Sequence, residues 1–423
     1  MTTLGPGSQL PRSWLVVPFE QLAEYSAGRT PPRNEPAFWA NDEGSVPWVA
    51  ISDMAPFGVV STTAERVSRL AREKVFGRPP VPKGTLLMSF KLSIGRTAIL
   101  ALDAYHNEAI ISIAPGKEVE RDFLRFYLPT IDYAQVQDRA IKGNTLNRAK
   151  IDALPITLPP IAEQRGIAGV LAKVQRAVEV EDRRVAVLKE LKAATMAKVF
   201  REGLRGESLK ATEIGDVPES WRVESLGGIA MIERGKFAHR PRNDPRFYGG
   251  EVPFIQTGDV TRAQGRIRSF TQTLNGLGLS VSRVFPRGTI VLTIAANIGD
   301  TGILGFDSAF PDSLVGLTPH DGIESEYLEF YLRTQKPEMD RLAPKGTQKN
   351  INIQFLKPWL VPVPDASEQR DIAQMLRELD ERHQASELRR ELLMEAFEAA
   401  LKELMTGQLR VTPLLDRKGA PDA

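Results

Sequence analysis

Two stretches of this chain place apolar side chains at alternating spacings of four and three. From Ala162 to about Leu204 there is no proline, and Ile167, Leu171, Val174, Val178, Val185 and Leu188 follow the heptad period of a coiled-coil seam. The pattern returns 205 positions later at Ile372, Leu376, Leu379, His383, Arg390 and Leu393, and runs on through Phe397 and Leu404. His383 and Arg390 interrupt the second seam without shifting its register. The segments "GLRGES" and "GQLRVT" supply a glycine stop after each stretch. A helix of about forty residues runs about 60 Å at ~1.5 Å per residue, longer than a domain of this size needs for its own core. The pattern predicts two long spacer helices packed antiparallel.

The segment before each helix has a different period. Short β-rich runs ("VPWVAIS", "GTLLMSF", "RTAILAL", "AIISIAP") are punctuated by Gly and Pro and accompanied by a short helix around "ERDFLRFYLPTIDYAQVQDR". This reads as a compact α+β domain, and it too is written twice. "LPRSWLVVPFEQL" at Leu10 pairs with "VPESWRVESLGGI" at Val217, and "VPWVAISDM" at Val46 with "VPFIQTGDV" at Val252. Gly84 and Gly288 stand 204 positions apart, and Ile94-Gly95 with Ile298-Gly299 and Phe126-Tyr127-Leu128 with Phe330-Tyr331-Leu332 keep that offset. "KGNTLN" from Lys142 matches "KGTQKN" from Lys345, and Glu163-Gln164-Arg165 matches Glu368-Gln369-Arg370. Collinear matches of this number mark an internal duplication. The expected organisation is a first α+β domain over residues 1–160, a spacer helix over 161–206, a second α+β domain over 207–365, and a second spacer helix with its C-terminal tail over 366–423. Two such domains joined by two long antiparallel helices have a pseudo-two-fold axis. That symmetry suits a ligand that is itself two-fold symmetric, and duplex DNA is the obvious one.

Composition narrows the class. The 423 residues suit two or three domains, and 42% apolar content is enough for real cores. The absence of cysteine excludes disulfides, thiol nucleophiles and zinc knuckles, and fits a reducing compartment. The opening "MTTLGPGSQLPRSW" has no signal-peptide pattern, and no window approaches a membrane span, so the expected location is cytoplasmic with no membrane contact. A net charge of +2 is too small for a general polycation, so any basic surface is local.

The basic residues do concentrate in loops. "ERGKFAHRPRNDPRF" carries Arg234, Lys236, Arg240, Arg242 and Arg246, and "TRAQGRIRSF" follows with Arg262, Arg266 and Arg268. The first copy has the sparser "AGRTPPRNEPAF" with Arg29 and Arg33. A solvated surface explains any single arginine, but arginines interleaved with Gly, Pro and aromatic residues form loops able to contact phosphates and guanine edges. Lys91 belongs to the same candidate set. The paired loops "IKGNTLNRAK" and "PKGTQKNINIQ" add Lys142, Asn144, Thr145 and Arg148, and Lys345, Thr347, Gln348, Lys349 and Asn350. These can donate to phosphate or read adenine. Their bland alternative is a tight turn entering the last strand.

Catalytic patterns are missing. The chain has no phosphate-binding P-loop, no dinucleotide fingerprint and no N-P-P-[YF] run, and Pro311-Asp312 lacks the downstream acid-x-lysine of a nuclease core. His106, His239, His320 and His383 lie far apart and read as structural or solvated. "AEQR" and "SEQR" read as helix caps, with Ser367 the N-cap of the second helix.

In its Trp14 and Trp221 entries, its "SDM" and "GDV" segments, its "GNT" and "GTQ" loops and its "LPPIAEQRGIAGVL" helix start, the chain resembles the specificity (S) subunits of type I restriction-modification systems, the HsdS-like proteins. The likeness covers almost the whole chain. It implies two target recognition domains on helical spacers, each reading half of a split DNA sequence, with no chemistry of their own. It also implies two methyltransferase (M) subunits, restriction (R) motor-nuclease subunits, and S-adenosylmethionine, ATP and Mg on those partners, with no cofactor or metal on this chain. The rival readings are a stand-alone bipartite DNA-binding regulator and a protein-interaction scaffold.

Overall fold

The computed structural model describes residues 10–39, 42–135, 146–263, 265–295, 297–344 and 350–411. The chain divides into two compact units, Met1–Glu181 with Arg389–Ala423, and Asp182–Leu388. Four helices matter below: α1 (Arg121–Tyr127), α2 (Ile161–Glu202), α3 (Ser325–Leu342) and α4 (Ala366–Met405). The division between units falls inside both α2 and α4.

Each unit is built on the same pair of sheets. In the first, a five-stranded sheet runs in the order Ala23–Ala27, Ile110–Pro115, Leu86–Ser89, Thr97–Leu100, Gly58–Val60, with only the last pairing parallel. In the second the order is Ala230–Arg234, Leu314–Pro319, Ile290–Thr293, Thr301–Leu304, Gly265–Ile267, again with only the last pairing parallel. Strand by strand the order is identical, which is the duplication expressed as topology. The central strands are apolar on both faces because both faces are covered. Leu86 and Met88 join the core that α1 and the long helices close, while Leu87, between them, faces a separate cluster with Val49, Met54 and Val60. A smaller sheet, Glu65–Val67, Val46–Val49 and Tyr105–His106, packs beside the first. The second unit's counterpart has four strands, Gln272–Leu274, Tyr248–Phe254, Ser308–Ala309 and Val284–Phe285. A two-stranded ribbon closes each domain, Leu15–Pro18 with Pro155–Leu158 and Arg222–Ser225 with Leu360–Val363.

Within each unit α2 and α4 pair antiparallel. In the first, Glu163 meets Arg410 and Glu181 meets Arg389; in the second, Lys192 meets Asp380 and the Leu204 N–H meets Glu368. Burial follows the heptad spacing. Ile167, Leu171, Ile372, Leu376 and Leu404 are fully buried, Val174, Val178, Val185 and Leu188 half-buried, and the series is completed by the polar Glu181 and Ser386. His383 keeps its place in the series at partial exposure, with Nδ1 3.4 Å from Glu387.

The repeated helix start is a lock between distant segments, and capping is only part of it. Trp14 Nε1 donates to Glu163 Oε2 at 3.0 Å, and Trp221 Nε1 donates to Glu368 Oε2 at the same 3.0 Å. Gln164 donates to the Glu118 and Pro159 carbonyls and accepts from the Glu120 N–H at 2.8 Å, fixing the loop that enters α1. Gln369 does the same with Gly322, Pro364 and the Glu324 N–H at the entry to α3. Arg165 and Arg370 complete the motif by pairing with Glu120 and Glu324. Ser367 is not the N-cap. Asp365 takes that role, its Oδ1 accepting the Glu368 N–H at 2.9 Å, because the helix begins at Ala366. A carboxylate there also gains from the helix dipole. Both helix ends abut the same tryptophans: a Cβ on Gly203 would crowd Trp221 and Glu368, and one on Gly407 would crowd Pro11 and touch Trp14.

Behind this lock the two copies join domain to helix with inverted charge. In the first unit buried Arg125 donates to the Phe57 carbonyl and to Gln175 on α2. In the second, buried Glu329 stands at the matching place, accepts from Thr301 at 2.8 Å and pairs with Arg333, which reaches Asp380 on α4 at 2.8 Å.

Candidate nucleic-acid interface

The arginine loop of the second unit follows the edge strand Ala230–Arg234 and is drawn together by two acids. Asp312 receives Arg240 at 3.3 Å and Arg242 more closely, and its backbone carbonyl accepts from Arg234 Nε at 2.6 Å. Arg240 is tied down further by the carbonyls of Phe237 and His239, at 2.7 and 2.8 Å. Asp244 accepts from Arg246 through both its side chain and its backbone N–H. Those bonds, outweighing desolvation and helped by His239, hold the Asp244 carboxyl well below the ordinary carboxylate range. His239 stacks on Phe247 with centroids 4.0 Å apart, so it belongs to the loop's scaffold. Lys236 is exposed in the same loop, and its carbonyl accepts from Ser282 at 2.7 Å. The guanidiniums of Arg240, Arg242 and Arg246 remain solvent-accessible while their geometry is set. Such pre-ordering suits bidentate recognition of a phosphate or a guanine edge.

The run "TRAQGRIRSF" does not join this cluster. Arg266 lies in Gly265–Ile267, the strand at the opposite edge of the five-stranded sheet, about 19 Å away at ~4.8 Å per strand spacing. It pairs with Glu326 of α3, which also holds Arg377 of α4 at 2.7 Å. Burial, then the neighbouring Arg268, Arg377 and Arg287, pull the Arg266 guanidinium below its ordinary value. Adjacency in sequence misleads here because three strands of the sheet lie between the two edge strands in space. Arg262 is absorbed locally by Asp259 at 2.5 Å.

In the first unit Arg33 is held by three side chains. It pairs with Glu65 at 2.5 Å and lies over the rings of Trp39 and Trp48, 4.0 and 4.8 Å from their centroids. Arg29, exposed, donates to the Val75 carbonyl at 2.8 Å. Lys91 extends over Phe90, with Nζ 5.4 Å from the centroid. Arg148 begins a short helix capped by Asn147 and lies over Tyr25, in the edge strand that leads to Arg29. Asn350 bridges to Ala295, at the tip of the hairpin that corresponds to the one bearing Lys91. Lys142, Asn144, Thr145, Lys345, Thr347, Gln348 and Lys349 lie outside the described residues.

Among the described residues no group of three or more His, Asp or Glu side chains could hold a metal ion, and no helix is long and apolar enough to cross a membrane. A duplicated α+β unit carrying acid-organised arginine loops on paired helices has the build of a protein that binds a two-part anionic ligand. The family model described as the type I restriction modification DNA specificity domain matches residues 11–190 and again 218–393, and the chain belongs to that family. Among curated proteins it is 25% identical over 313 residues to the putative type I restriction enzyme MjaX specificity subunit of Methanocaldococcus jannaschii, covering 72% of each chain. To that organism's type I restriction enzyme MjaVIII specificity subunit it is 22% identical over 428 residues, covering 96% of each. The fold is shared with the crystallised type I restriction-modification S subunit from M. genitalium, at TM-score 0.61 and 13% identity, over 95% of this chain and 98% of that one. A chain from a structure concerned with complex assembly and conformational transition of the type I R-M system matches at TM-score 0.54 and 18% identity, over 95% and 100%.

Proposed function

We propose that this chain reads a bipartite double-stranded DNA sequence, one half with each unit, and directs the methyltransferase and restriction subunits of a type I restriction-modification complex to it. The observation that carries this is the duplication itself: two units of identical sheet order, each presenting ordered arginines from the loop after its first edge strand, in a chain whose two halves both match a DNA specificity domain. The chain performs no chemistry of its own. S-adenosylmethionine, ATP and Mg act on the partner subunits, of which two are methyltransferases, and the complex works in the cytoplasm. The recognition domains are residues 1–160 and 207–365, and residues 161–206 and 366–423 form the helical frame with its tail.

Exchanging residues 207–365 for those of a homologue with a different target tests this reading. Sequencing of methylated sites in cells carrying the exchanged chain and its partner subunits is expected to show one half of the motif replaced and the other unchanged. Simultaneous loss of both halves would mean one composite site and would overturn the division of labour.

The arginine loop contributes to its own half-site. Replacing Arg240 and Arg242 together with alanine is expected to weaken specific binding by about 1–3 kcal/mol for each guanidinium that pairs bidentately with a base. If the two arginines meet phosphates instead, the slope of log K against log salt falls by about one for each phosphate no longer neutralised. Titrations at several salt concentrations distinguish these. Affinity and slope both unchanged would assign the loop to solvent, and affinity insensitive to salt in the parent chain would favour a protein scaffold.

A further inference from the structure

Two acids stand at corresponding places in the two units, 204 positions apart: Glu108 and Asp312. Each lies in the loop between the short strand of the smaller sheet (Tyr105–His106, Ser308–Ala309) and the long strand of the main sheet (Ile110–Pro115, Leu314–Pro319). In both units a glycine pins the arginine loop to this acid loop. Gly28 donates to the Ile110 carbonyl at 3.2 Å and Gly235 to the Leu314 carbonyl at 2.9 Å. The next residue follows suit, Arg29 donating to His106 and Lys236 to Phe310. A Cβ on Gly28 would collide with the His106 and Asn107 carbonyls, and one on Gly235 with those of Phe310 and Pro311, so the approach requires glycine. From there each loop runs on to an arginine-asparagine-acid-proline sequence, Arg33-Asn34-Glu35-Pro36 and Arg242-Asn243-Asp244-Pro245. Arg242 ends on the Asp312 carboxylate. Glu108 accepts from the Thr30 hydroxyl; burial raises its carboxyl, but that bond, its own backbone N–H, Lys91 and Arg33 together bring it below the ordinary value.

A carboxylate on a surface that meets DNA repels phosphate, so it lowers sequence-independent affinity. Its compensating effect is to order a flexible guanidinium before contact, which makes one donor geometry available and excludes others. We propose that Asp312 is a positioning residue for DNA specificity, aligning Arg240 and Arg242 of the second unit for base readout. The inference rests on the DNA-reading function proposed above. It assigns sequence discrimination to an acid outside the base contacts themselves.

The test uses the full-length chain and a pool of randomised duplexes, with sequencing of the bound fraction, affinity for one scrambled duplex, and the melting midpoint. The parent chain is expected to enrich a two-part sequence. Asp312→Asn should lose about tenfold in discrimination within one part only, hold the scrambled duplex as tightly or more so, and melt as the parent does. Asp312→Glu should restore most of the lost discrimination, and Glu108→Gln, whose carboxylate holds the Thr30 hydroxyl rather than a guanidinium, should leave both parts as they are. Undiminished enrichment by Asp312→Asn overturns the proposal, as does an equal loss in Glu108→Gln or a loss of discrimination that comes only with a lowered melting midpoint. A parent chain that enriches no sequence would overturn the DNA-reading function itself, and this inference with it.

Discussion

Trp221→Ala is expected to destabilise the second unit by about 3–5 kcal/mol, the range for deleting a fully buried large aromatic side chain. Trp221 is 0% exposed, and its indole N–H is the donor to Glu368, itself 1% exposed. Removing the ring opens a cavity and also strips a buried carboxylate of a partner. Trp221→Phe separates the two effects, since it keeps most of the apolar area and loses the donor, at about 1–3 kcal/mol. Trp14→Phe should cost less. Glu163 retains Arg410 at 2.5 and 2.8 Å when Trp14 is changed, whereas Arg205 is 3.7 Å from Glu368 and pairs mainly with Asp365. Urea unfolding followed by hydrogen exchange assigns each loss to its unit. A Trp14→Phe variant as unstable as Trp221→Phe would show that Arg410 does not make up for the lost indole donor at Glu163.

Acidification is expected to weaken the first unit through His106. The imidazole is 1% exposed, and burial pushes it down to about 4, with Arg78 acting in the same direction and the Asn107 carbonyl opposing. Among the described residues its Nε2 finds no hydrogen-bond partner. In the unfolded chain a histidine titrates near ~6.5. Above that pH neither state is protonated and the neutral, buried form is fully compatible with folding. Between about 6.5 and 4 the unfolded chain takes up a proton that the folded chain refuses, so stability falls as pH falls, by about 3 kcal/mol in all. The second unit has Phe310 at the corresponding position, 0% exposed and stacked on Phe285 at 4.1 Å. His106→Phe should therefore fold and should flatten the first unit's pH dependence over that window. Unfolding midpoints for parent and variant at pH 4.5 and pH 7 measure this. Equal slopes would show that His106 is protonated in the folded protein.

The sequence by itself determined the duplication, the α+β character of each unit and the two long helices. These are carried by local periodicity and by matches at constant offset, and both survive without knowledge of any tertiary neighbour. The heptad spacing even located the buried positions of α2 and α4 across His383. The reason for the repeated "EQR" was decided only by the tertiary structure, because Trp14 and Glu163 are separated by 149 residues and Trp221 and Glu368 by 147. Helix-capping rules see four residues at a time. For the same reason they pointed to Ser367, where a backbone N–H instead finds Asp365. The basic loops were legible as composition but not as surfaces, since three intervening strands put the strand before the Arg242 loop and the strand of Arg266 at opposite edges. Asp312 and Glu108 carried one sequence signal, a shared offset of 204, but nothing in the chain said that arginines would gather on Asp312. That required Gly28 and Gly235 to bring two loops into backbone contact, an approach set by packing between segments that meet across 78 residues of chain in both units.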